Sequence, residues 1–81
     1  MKEIKFQVEG VEGDFFVDSD EMKSYKTVKA FALSEKNAAP MFEAMERVFM
    51  RHDEEYVDRV GGMDNLSSLL DAAAEAAKAK N

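Results

Sequence analysis

The chain has 81 residues, enough for one small domain, and Leu, Ile, Val and Phe together number only 18, so its core is thin. Zero cysteines exclude disulfides, thiolate metal sites and thiol nucleophiles, and a single histidine, His52, excludes multi-histidine metal sites and most catalytic triads. Seventeen acidic against eleven basic residues give a net charge of -6, with no basic stripe in either half, so nucleic-acid phosphate would be repelled.

Residues 3–8, EIKFQV, alternate apolar Ile4, Phe6 and Val8 with polar Glu3, Lys5 and Gln7, the pattern of a half-buried strand. Residues 11–17, VEGDFFV, repeat the alternation, and Glu9-Gly10 between them suits a two-residue hairpin loop. That loop would set Val8 opposite Val11, Phe6 opposite Gly13 and Ile4 opposite Phe15, with Lys5 opposite Asp14 on the other face. A longer loop through Gly10–Gly13 is the alternative. In the two-residue register Phe16 points away from the core.

Asp18 or Ser19 caps a helix expected over about 20–35, with Asp20 and Glu21 at its positive end. Met22, Tyr25, Val28 and Ala32 share its apolar face, and Phe31 and Leu33 flank it. Asn37-Ala-Ala-Pro40 ends that helix, and a second runs from Pro40 to about Arg51 with Met41, Phe42, Met45, Val48 and Phe49 on one stripe. Met50 falls on the opposite side of that helix. Asp53 caps a third helix over about 54–60, with Tyr56, Val57 and Val60 inward and Gly61-Gly62 as its stop. Asp64 caps the last, over about 64–79, with the stripe Leu66, Leu69, Leu70, Ala73 and Ala77. Its Ala-rich end has high helix propensity but little side chain to pack, so it is expected to fray or to dock on a partner. The fold class is therefore α+β: an N-terminal two-stranded hairpin over 3–17 and about four short helices, within one domain spanning 1–81.

Chemistry-bearing motifs are sparse. His52-Asp53-Glu54-Glu55 sets an imidazole beside three carboxylates, but successive helical residues point in different directions, so a solvated turn is the better reading than a metal or acid–base site. Gly10 and Gly13 lie between strands with no helix after them, unlike a phosphate cradle. The expectation is a protein that is not an enzyme and uses no cofactor. No apolar run approaches the ~20 residues of a membrane span. MKEIKFQVEG lacks the apolar block of a signal peptide, which points to a soluble protein of the cytoplasm. The acidity reads first as a solubility device, and second as a face for a basic partner. Met22, Met41 and Met45 fit core filling, whereas Met50 and Phe16 fall off the main stripes.

The order of these features resembles a family. A short hairpin precedes SDEMKSYKTVKAFALSEKN, then come the Pro-started PMFEAMERVFM, the short EEYVDRVGG and the closing MDNLSSLLDAAAEAAKAKN. This arrangement is similar to the small tail assembly chaperones of long-tailed bacteriophages, over nearly the whole chain and by pattern rather than by one motif. The resemblance implies a non-enzymatic protein of the host bacterial cytoplasm. It would bind the long helical tape measure protein and keep it soluble while tail tube subunits assemble. The tail tube protein is a second candidate partner. Many such chaperones are made beside a longer frameshifted form, for which Lys80-Asn81 would suit an A-rich slippery stretch.

The residues point the same way in kind: thin core, adaptable methionines and an under-packed last helix suit a protein that covers apolar helix surface on another chain. The expected groove comprises Phe16, Phe31, Met45, Phe49 and Met50. A small acidic adaptor binding a helical segment of a host protein is the competing function. Self-association would also strengthen so small a core.

Overall fold

The structure is a computed structural model describing residues 2–79; Met1 and the Lys80-Asn81 end lie outside the described residues. The chain is α+β, with strands β1 (Glu3–Phe6) and β2 (Phe15–Asp18) paired antiparallel. Helices α1 (Ser19–Met22), α2 (Tyr25–Ala32), α3 (Ala39–Val48), α4 (Asp53–Arg59) and α5 (Leu66–Ala79) follow. A 3-10 turn over Met63–Asn65 leads directly into α5.

The hairpin keeps the expected faces and takes the longer-loop alternative through Gly10–Gly13 in place of the two-residue register. Ile4 pairs with Val17 and Phe6 with Phe15, two residues beyond the pairing a two-residue loop would impose. A slip of two leaves every side chain on its original face, so the alternating pattern cannot distinguish the registers. The tight turn itself forms: Val11 N–H donates to Val8 C=O at 3.0 Å, with Gly10 at φ 82°. The chain then makes a second bend through Gly13 before β2 begins. Lys5 consequently faces Phe16, and its ammonium meets Asp14 only at 4.0 Å and in solvent.

Ser24 breaks the single helix expected over 20–35. Its hydroxyl donates to Glu21 C=O at 2.9 Å, ending α1, and accepts from Thr27 N–H at 3.3 Å, starting α2. Asp18 caps α1, and its Oδ1 accepts from the backbone N–H groups of Asp20, Glu21 and Lys2. The restart turns α2 about its axis. Thr27 and Ala30 face inward, while Tyr25, Val28 and Leu33, expected on or beside the apolar face, are exposed. Arg47 of α3 fixes this arrangement by donating to Thr27 Oγ1 at 3.4 Å and to Glu21 Oε1 at 3.2 Å.

The core gathers Ile4, Phe6, Phe15 and Val17 from the sheet, Met45 and Val48 from α3, Phe49 after it, Tyr56 from α4, and Leu66, Leu69 and Ala73 from α5. The Ala-rich end of α5 does not hang free: Ala77 is buried, and the helix packs on α1 and β1. Small side chains allow that close approach. Asp53 and Asp64, expected as caps, sit instead at the first position of α4 and within the 3-10 turn.

Two helices end in the same way with different residues. After α4, Gly61 N–H reaches Asp58 C=O and Gly62 N–H reaches Val57 C=O, with Gly61 at φ 101°. After α3, Met50 N–H reaches Arg47 C=O and Arg51 N–H reaches Glu46 C=O, with Met50 at φ 52° and Arg51 at φ 71°. The second pair forces side chains into left-handed backbone and stops α3 at Val48, short of the expected Arg51. Met50→Gly is therefore expected to stabilise the fold by about 0.5–1 kcal/mol, read as a higher denaturant midpoint at unchanged slope.

Tyr56 joins α4 to the sheet. Its ring meets Phe15 and Phe49 edge-on, with centroids 4.9 and 5.5 Å away, and its hydroxyl accepts the Phe16 N–H at 3.1 Å. Burial raises the phenol above its ordinary pKa; Glu55 and Glu3 add to the rise, and the Phe16 N–H and Arg59 oppose it. The unfolded chain thus loses this proton first as pH climbs through the ordinary value of 10.0, and stability falls there. Tyr56→Phe should cost about 1 kcal/mol at neutral pH, and it should lose less stability than wild type between neutral and strongly alkaline pH in denaturant titrations.

Candidate functional site

The five residues expected to form one groove are not brought together. Phe49 is fully buried in the core and presents no surface, because the turn after α3 folds it under the sheet against Phe6 and Tyr56. Phe16 is half-buried on the outer face of β2, its backbone held by Tyr56. Met50 is half-buried at a shallow polar depression lined by Asp18, Glu21, Glu46, Arg47 and Arg51. Phe31 and Met45 line two separate apolar hollows.

The first hollow is a groove of about 430 Å³ between α1, α2 and α5. Met22, Val28 and Phe31 form one wall, Ala74 and Ala77 the other, and Lys23 and Lys78 border it. It sits where Ser24 restarts the helix: Val28 and Phe31, three residues apart on α2, face Ala74 and Ala77 of α5 across the opening, and Tyr25 lies one turn before Val28. Tyr25 is 78% and Val28 54% exposed, while Phe31 packs partly into the core. Exposed apolar residues clustered along one helix mark a docking surface more often than scattered ones do. The alanines opposite keep the far wall low, leaving room for a side chain or helix ridge from elsewhere.

The second hollow, about 300 Å³, lies between α3 and α4. Phe42, Met45, Val57 and Met63 give it an apolar lining, and Asp53, Glu54 and Asp58 stand around it. Phe42 was expected inward but is 47% exposed, and Met63 is 57% exposed.

Among the described residues, no three His, Asp or Glu side chains converge as metal ligands. His52 Nδ1 lies 3.3 Å from Glu55 Oε1 and its ring stacks on Tyr56 at 5.8 Å, an exposed i,i+3 pair on the first turn of α4. No helix among the described residues is long and apolar enough to cross a membrane. Comparison with protein-family models, with curated proteins and with solved structures finds no match.

Tyr25, Val28, Phe42 and Met63 are the surface residues that sequence reasoning missed. The signal for the first two was Ser24 with Thr27 three residues later, a cap inside an apparently continuous helix. The division between core and surface is measurable. Phe49→Ala should cost about 3–5 kcal/mol, a large share of the stability of so small a domain, whereas Val28→Ser should stay within about 0.5 kcal/mol of wild type.

Proposed function

We propose that the protein is a binding chaperone whose α1–α2–α5 groove shelters the apolar face of a helix on another chain. In the form the sequence resemblance suggests, it is a phage tail assembly chaperone and the helix belongs to the tape measure protein. The observation that supports this reading is the apolar groove in which Met22, Val28 and the partly buried Phe31 face the low alanine wall of α5, with exposed Tyr25 one turn before Val28. An amphipathic helix needs such a trough, with anchors recurring at every third or fourth residue. Apolar area on the chaperone replaces water around the client, and the net charge of -6 keeps the complex soluble.

Co-expression with the tape measure protein tests the reading. Wild type should hold the client in the soluble fraction, and Val28→Ser with Phe31→Ser should weaken binding by roughly 100-fold and return it to the pellet. A client that stays insoluble beside wild type, or soluble beside the double variant, would overturn it. Capture of a helical host protein through the same groove, with no effect on a tape measure protein, would establish the adaptor reading instead.

A further inference from the structure

The hollow between α3 and α4 has a different character from the groove just described. Phe42, Met45, Val57 and Met63 line it together with three carboxylate residues, and among the described residues no cation lines it. Asp53, Glu54 and Asp58 make no side-chain hydrogen bond or ion pair with another described residue, although Arg59 follows Asp58 directly. Arg59 is committed elsewhere: its guanidinium donates to the C=O groups of Glu12 and Asp14 at 3.0 Å each and covers the Phe15 ring at 3.9 Å. Asp53 and Glu54 suit the positive end of α4, but Asp58 lies in the last turn, where the helix dipole disfavours an anion. A carboxylate that opposes the local field, beside exposed Phe42 and Met63, is unexplained by folding alone.

We propose that this pocket receives a large apolar side chain from a cationic segment of a partner protein. Phe42, Val57 and Met63 enclose that side chain, while flanking Lys or Arg residues meet Asp53, Glu54 and Asp58. Charge complementarity selects the occupant. A second copy of this chain carries the same net charge of -6 and is repelled, whereas a basic amphipathic segment is attracted. Methionine at the mouth fits varied apolar side chains, so charge sets the preference and shape stays permissive. The proposal is independent of what fills the α1–α2–α5 groove.

The methionines supply the readout. Met45 and Met63 line this pocket, Met22 lines the other groove, and Met50 lies at neither. Protein labelled at the methionine methyls is titrated with an amphipathic peptide of Leu and Lys. A Leu/Glu peptide and a Ser/Lys peptide of equal length serve as controls. The expected result is movement of the Met45 and Met63 signals with the Leu/Lys peptide alone, Met22 and Met50 remaining still. Affinity should fall as salt rises. Asp58→Lys should weaken it about tenfold and flatten its salt dependence, without the loss of a helix-start charge that changes at Asp53 or Glu54 would bring. Met63→Ser should weaken it and leave the salt dependence intact. Equal shifts with either control peptide, movement of Met22 in place of Met63, or the same shifts produced by raising protein concentration alone would each overturn the proposal.

Discussion

Phe15 lies between two side chains of one short helix. Tyr56 presents its ring edge-on, and Arg59, one turn later, lays its guanidinium over the ring. Both residues also satisfy the backbone nearby: Tyr56 takes the Phe16 N–H, and Arg59 holds the carbonyls of Glu12 and Asp14. A two-stranded hairpin is marginal in water on its own. Here α4 supplies what a further strand would, through side chains spaced i and i+3 on one face. Phe6 and Phe49 complete the aromatic cluster, so the sheet, the turn after α3 and α4 share one anchor.

The rest of the molecule follows from that anchor. With α3, α4 and α5 sealed on the hairpin, α2 is left to pack through small residues, Thr27 and Ala30, against α3. Tyr25 and Val28 then stay outside, and Phe31 is only partly taken in. The apolar surplus is concentrated along one side of α2 and at the α3–α4 mouth, and the two are bordered by opposite charge: Lys23 and Lys78 at one, Asp53, Glu54 and Asp58 at the other.

Much of this was legible in the chain, and the failures have physical causes. Alternation gave both strand faces, and period 3.6 gave the α5 stripe of Leu66, Leu69, Leu70, Ala73 and Ala77, of which Leu70 is only half-buried. Register was not legible, because a slip of two residues is silent in a period-two pattern. The α2 face was misread because Ser24 sits inside a run with no Gly or Pro to mark a break, where a hydroxyl that caps looks the same as one facing solvent. Met50 was read as the far face of a helix reaching Arg51, but nothing in a Val-Phe-Met-Arg run announces the two successive left-handed residues that end α3 at Val48; Phe49 keeps its inward place but not the groove role expected of it. Arg59 was invisible as a staple: its partners are backbone carbonyls far away along the chain.

A two-stranded sheet has two borders, and one of these borders is the side of β2 facing α4. Unpaired amide groups along such a border invite strands of other molecules, the first step toward fibrils. Tyr56 and Arg59 already occupy the Phe16 N–H and the Asp14 C=O. With those two groups taken, an incoming strand finds no free partner at either position, and that flank of the sheet is closed to templated growth there.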